Sequence, residues 1–185
     1  MTLSKQTILL GIDEAKITAI QSDENSGSDP TYEATGYNVP GIQKIGLAPS
    51  YTEKGLKGDE KILDYYINLD FIQWEFHSAK ISLDVLAILE GGSITPSGTT
   101  PNQVNTYSVS TSSAPKYFKI EGKTNYSAGE VGDFHFILYK CKANSVQVEF
   151  STQDYAIVSA SGIAIPTANG KIKNYIINET ATAIS

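Results

Sequence analysis

Leu56–Gly92, LKGDEKILDYYINLDFIQWEFHSAKISLDVLAILEGG, carries the pattern from which the fold is read. From Ile62 the period is two: Leu63, Tyr65, Ile67 and Leu69 fall on one side, Asp64, Tyr66, Asn68 and Asp70 on the other. Beyond Asp70 the alternation continues or restarts. Ile72, Trp74 and Phe76 are set against Gln73, Glu75 and His77, the pattern of a half-buried antiparallel strand with Trp74 in the core. Ile81 to Glu90 then changes period. Ile81, Val85, Ile88 and Leu89 form one apolar stripe of a short helix, and Leu83, Leu86 and Ala87 form a second nearly opposite. Ser82 or Ser78 supplies the cap and Gly91-Gly92 the stop. A helix apolar on two sides is either sandwiched between a sheet and a loop of its own chain or lends a stripe to a neighbouring subunit. Leu83, Leu86, Ile88 and Leu89 are the residues concerned.

Outward from this stretch the chain reads as strand after strand. Residues 7–12 and 15–21 predict a first pair around Asp13-Glu14, 41–47 another, and 104–110, 116–123, 133–142, 145–151, 155–165 and 171–179 the rest. Segments dense in Ser, Asn, Asp, Gly and Pro predict long loops at about 22–40, 50–61 and 93–115. Asn169-Gly170 between two strand-like runs predicts a hairpin. The expectation is a mainly β chain: an antiparallel sandwich or barrel with one short helix, in a single domain spanning 1–185.

Composition narrows the function. The net charge is -6, and all 14 basic residues are Lys. Tight nucleic-acid recognition relies on a basic surface and on the bidentate guanidinium, so a DNA-binding role is disfavoured. The single Cys141 allows no intrachain disulfide. The apolar run from Ile8 to Ile12 is too short for a secretory leader, and no run approaches a membrane span, so synthesis in a cytoplasm is expected.

No catalytic constellation is visible. His77 and His135 sit in alternating runs without further ligands at metal-binding spacing, and Gly162 to Lys171 lacks the spacing of a phosphate loop. Asp23, Asn25, Gly27 and Asp29 alternate as in a calcium loop, but the required Gly position and terminal Glu are missing. The reading is therefore no enzyme, no cofactor and no metal. The run YTEKGLKGDEK, charged with both signs and hinged at Gly55 and Gly58, is either an ordinary solvated loop or a contact surface for a partner, carried by Glu53, Lys54, Lys57, Asp59 and Glu60.

Several motifs in order carry a resemblance. Leu56-Lys57-Gly58-Asp59 precedes the aromatic-rich strand; Ser82, Asp84, Leu86, Ala87 and Leu89 lead into Gly91-Gly92. Pro30-Thr31-Tyr32 and Val39-Pro40-Gly41-Ile42 come earlier; Phe118 to Gly122, Asp133-Phe134-His135, Asp154-Tyr155 and Gly162-Ile163-Ala164-Ile165 come later. In this order the chain resembles the major tail tube protein of long-tailed bacteriophages, although Lys57 stands where Arg is common in that family. The resemblance implies subunits that form rings, usually hexameric, whose hairpins close an inner barrel and which stack into the tube that conducts the genome. It implies as partners further copies of the chain, the tail tip, tail terminator and tape-measure proteins, and DNA in transient passage, with no membrane. It places the protein in the virion tail. The family's lumen tends to be negative, and Asp64, Asp70 and Glu75 are the candidates to line it; Glu53 to Glu60 is the candidate contact between stacked rings. Alternatives are a tube subunit of a contractile tail or injection machine and a carbohydrate-binding β-sandwich using some of the 11 Tyr and Trp74.

Overall fold

A computed structural model describes residues 9, 11–24, 27–59, 61–126, 132–150, 152 and 155–184. The strand expected at 7–12 falls largely outside them, as do Asn25, Glu60 and Asp154. The chain is mainly β: β1 (Glu14–Ser22), β2 (Thr31–Tyr32), β3 (Tyr37–Asn38), β4 (Ile42–Gly58), β5 (Lys61–Ser78), α1 (Leu83–Glu90), β6 (Ser93–Ser97), β7 (Val104–Ser108), β8 (Phe118–Asn125), β9 (Asp133–Glu149), β10 (Ile157–Ala164) and β11 (Lys173–Asn178). Nine strands form one antiparallel sheet along the order β2-β1-β8-β9-β10-β5-β4, with β3 beside β1 and β11 beside β9; β6 and β7 pair separately.

One apolar face of this sheet faces one core. Ala15, Ile17 and Ala19 of β1, Phe118 and Ile120 of β8, Leu138 and Cys141 of β9, Ala160 of β10 and Ile72, Trp74 and Phe76 of β5 are buried in a single cluster. Trp74 and Phe118 stand three strand intervals apart, about 14 Å in a flat sheet. Their rings nevertheless meet edge to face at 5.6 Å. The sheet therefore curls until its two halves face each other, an arrangement consistent with a β-sandwich. It does not close into a barrel: β4 and β2 end the strand order.

The helix seals one opening. Ser82 caps it by accepting the Val85 N–H at 3.4 Å, and Gly91 ends it in the left-handed conformation at φ 76°. Val85, Ile88 and Leu89 face the core. The β6–β7 hairpin covers the other side, where the Tyr107 hydroxyl donates to the Leu86 carbonyl (3.1 Å) and to Glu90 (2.9 Å).

Three features differ from the expectation. Residues 50–58 are strand, not loop: every residue from Ser50 to Gly58 pairs with β5, and Asp59, which follows, takes a positive φ of 37°. The high density of Lys, Glu and Gly there reflects a solvated strand. Second, 133–149 is one strand, with Asn144 left unpaired as a bulge between Ala143 and Ser145. Third, Asn169-Gly170 is a turn but not a hairpin. Strands β10 and β11 pair with β9, not with each other, and follow one another along the same edge, Ala164 opposite Cys141 and Lys173 opposite Leu138. The residues between loop out and close on themselves through Gly170 N–H to the Thr167 carbonyl and Thr167 N–H to the Lys171 carbonyl, both 2.9 Å.

The curl requires a bare backbone at Gly162, where β10 passes beneath Trp74. A Cβ there would collide with the Lys142 carbonyl oxygen and with the Trp74 ring edge. Gly162→Ala is expected to destabilise the fold by about 1–3 kcal/mol through overpacking. Gly55→Ala, whose Cβ would meet only Tyr65 at 3.7 Å, stays within about 0.5 kcal/mol of wild type. Denaturant midpoints of the two variants check the contrast.

Candidate functional site

Strands β4 and β5 continue together beyond the point where β10 stops. β10 last pairs at Ala164 with Ile72, whereas the β4–β5 ladder runs on from Tyr51 opposite Leu69 to Gly58 opposite Lys61. At about 3.4 Å per residue this is an arm roughly 25 Å long. Tyr51, Glu53, Gly55, Tyr65 and Ile67 lie on the side that is continuous with the core face, since their ladder partners extend the series Leu47–Trp74 and Pro49–Ile72. The apolar stripe thus leaves the core and continues uncovered: Tyr51, Tyr65 and Ile67 are each about half exposed, at 52%, 51% and 52%. Leu56 and Tyr66 are also exposed but lie on the opposite face, with Asp64. An exposed contiguous patch of this kind marks an interaction surface.

The sequence reading set Leu63, Tyr65, Ile67 and Leu69 on one side of the strand, and the structure leaves the first three in solvent. The signal was present. Ile62, Leu63, Tyr65, Tyr66 and Ile67 make both faces of the strand apolar, which a strand with one solvated face does not need. Among the expected contact residues, Glu53 accepts a hydrogen bond from the Tyr65 hydroxyl across the ladder, Lys54 and Lys57 are exposed on β4, and Asp59 forms the tip.

The opposite face of the sheet is polar, and a bulge decides its membership. Ser50 pairs with Phe71 and Tyr51 with Leu69, leaving Asp70 as an extra residue. Strict alternation would set Asp64 and Asp70 against Glu75. With the bulge, Asp64 (opposite Leu56), Asp70 and Glu75 (opposite Gly46) all lie on the polar face. Thr52 donates to Asp70, and Lys44 binds Glu75 at 2.6 Å. Below the arm this face holds an open groove of about 660 Å³ bordered by Lys44, Gly46, Gln73, Glu75, Asn144 and Ser161. Ser159 stands directly opposite His77, two positions from Glu75 on β5, and Ser161 donates to Asn144 at 3.3 Å. This face is lined by polar side chains of β4, β5, β9 and β10.

The helix residues named as packing or interface candidates are committed to the chain itself. Leu86, Ile88 and Leu89 are buried, and only Leu83 keeps partial exposure. Asp23 and Asp29, the outer members of the calcium-like spacing, serve as clamps: Asp23 accepts from Lys140 (2.6 Å) and the Ala168 N–H (3.0 Å), Asp29 from Asn169 and Lys171. Among the described residues no group of three or more His, Cys, Asp or Glu is placed to hold a metal ion. Cys141 is fully buried, which pushes its thiol pKa well above the ordinary value.

His135 belongs to a structural cluster. Asp133 is fully buried and accepts the Thr182 N–H at 2.6 Å and the Asn178 amide at 2.7 Å, with His135 Nε2 at 3.1 Å and Lys123 Nζ at 3.5 Å. Burial alone would raise its pKa; the hydrogen bonds from Thr182 and Asn178, with His135 close by, outweigh burial and hold it below the ordinary value. A carboxyl depressed in the folded state stabilises above its unfolded pKa of about 3.9, and that contribution is lost as pH falls through the lower folded value. Asp133→Asn is expected to lower stability at pH 7 by about 1–3 kcal/mol and to flatten the loss of stability between about pH 4 and pH 2. Denaturation midpoints across that range check both effects.

Comparison of the chain with protein-family models finds no match, and comparison with curated proteins finds none either.

Proposed function

We propose that the chain is a structural subunit that polymerises, as rings stacked along an axis, into the tail tube of a long-tailed bacteriophage, the conduit for genome delivery. The observation that carries this reading is the arm. A stripe that is core below Ile72 and solvent-exposed above Tyr51 stays uncovered only until another molecule covers it, and a self-assembling protein has copies of itself in excess. The motif order from Leu56 to Gly92 supports the same reading.

In this reading the arm tip, Glu53 to Glu60, reaches from one ring into the next. The mixed charges of Lys54, Lys57 and Asp59 set the register there, and Tyr51, Tyr65 and Ile67 supply the buried area. The polar face with Asp64, Asp70 and Glu75 lines the channel. Carboxylates on that wall repel the phosphates of passing DNA, and the absence of Arg removes the side chain best suited to gripping them. Tail tip, tape-measure and terminator proteins start, measure and end the polymer. Sugar binding is poorly served: Trp74 is 2% exposed and offers no ring face to a glycan.

Negative-stain electron microscopy and sedimentation of the purified protein at high concentration are expected to give rings and hollow tubes. Ile67→Asp and Tyr65→Asp, at exposed arm positions, are expected to leave the folded subunit's melting temperature within about 2 °C and to abolish tubes. A wild-type protein that stays monomeric at every concentration, or arm variants that build tubes like wild type, would overturn the reading.

A further inference from the structure

Asn169-Gly170 is the one Asn-Gly step in the sequence, and it lies in the loop that joins β10 to β11. Such a step is chemically labile as well as prone to turn. With no side chain on the glycine, its backbone nitrogen has open access to Cγ of the preceding carboxamide. The N–Cγ bond forms as the Gly170 nitrogen gives up its proton to water; the Cγ–Nδ2 bond breaks, and Nδ2 takes a proton back and leaves as ammonia. Water then opens the cyclic imide at either carbonyl, and the residue becomes aspartate or isoaspartate. The sum is carboxamide and water going to carboxylate and ammonium, with no oxidant or reductant involved.

Every group in this reaction is held in place. The attacking group, the Gly170 N–H, donates to the Thr167 carbonyl at 2.9 Å. The carboxamide is held at both ends. Nδ2, the leaving nitrogen, donates to Asp29, while Oδ1 accepts from the Thr167 hydroxyl and from the Lys171 N–H at 3.3 Å. Thr167 is buried, which fixes its hydroxyl against the turn. Asp29 is itself held by Lys171 at 2.8 Å, and Asp23 accepts the neighbouring Ala168 N–H at 3.0 Å. Both carboxylates come from the connection between β1 and β2, far from the turn in sequence. They also oppose the negative charge that the attacking nitrogen acquires on losing its proton.

We propose that Asn169 is a modification site kept closed by the segment that carries Asp23 and Asp29, with Asp29 and Thr167 as its positioning residues. The amide survives while Asp29 holds Nδ2, and it is converted when that segment lifts. The conversion runs one way. A new carboxylate faces Asp29 where a donor had been, the like charges repel, and the clamp does not re-form. None of this depends on whether copies of the chain assemble.

The purified chain, folded or unfolded in urea, is aged in mildly alkaline buffer, and the fragment containing residue 169 is weighed by mass spectrometry and assayed for isoaspartate. The folded wild type is expected to lose the Asn169 amide at least about tenfold more slowly than the unfolded chain, because attack requires local opening. Asp29→Ala, at an exposed position, is expected to stay folded by circular dichroism and to raise the folded rate several-fold. Asp29→Asn, which keeps an acceptor oxygen without the charge, is expected to fall between. Asn169→Asp, one of the two products, is expected to speed amide hydrogen exchange at Ala168 and Lys171. A folded wild type that converts as fast as the unfolded chain would overturn the proposal, and so would a folded Asp29→Ala that ages like wild type. Unchanged exchange in Asn169→Asp would overturn the one-way release.

Discussion

The contact of Trp74 with Phe118 is the constraint on which the rest depends. A ring from β5 and a ring from β8 meet at 5.6 Å only if the sheet between them bends. The bend leaves no room for a side chain on β10 beneath the indole, hence Gly162. It also fixes where the core ends. Strands shorter than the cavity stop inside it; β4 and β5, at 17 and 18 residues, do not. The arm is the part of this hairpin left over once the core has been filled, and its apolar face is the core face continued.

A chain that exposes both an apolar arm and unpaired strand edges is poorly designed as a solitary soluble domain. Natural sheets blunt their edges with bulges, charges and proline, and here Pro49, the bulge at Asn144 and scattered lysines are the devices present. Similar surface in an enzyme would invite aggregation. In a polymer subunit the same surface is the adhesive, and the requirement becomes that it engage in one geometry. The bulge at Asp70 shifts the arm by one side-chain position relative to the body, so that Asp64, Asp70 and Glu75 share one face while Tyr51, Tyr65 and Trp74 share the other.

How far the sequence foretold this depends on the element. The helix from Leu83 to Glu90 was legible because its cap, its period and its double glycine agree. The buried strands β8 and β10 were legible from clean alternation. Residues 50–58 were misread because Lys, Glu and Gly signal a loop whenever no burial accompanies them; the ladder with β5, which follows directly after Asp59, holds them as a strand in solvent. Asn169-Gly170 made the turn that its residue types demand, but a turn does not specify which strands it joins; here the partner of both flanks is β9. The shared face of Asp64, Asp70 and Glu75 was proposed from position along the strand. One extra backbone residue determines it, and its trace in the sequence is the change of apolar register between Leu69 and Ile72.

Cys141 adds a practical property of the molecule. The residue has no exposure, and burial pushes the thiol pKa well above its ordinary value. The native protein is therefore silent toward maleimides and other thiol reagents in its folded state. A cysteine introduced at any solvent-facing position would be the single site of modification without any need to remove the natural one. Fluorophores or spin probes attached in this way would report from one known place, and a change in their signal could be assigned to that place alone.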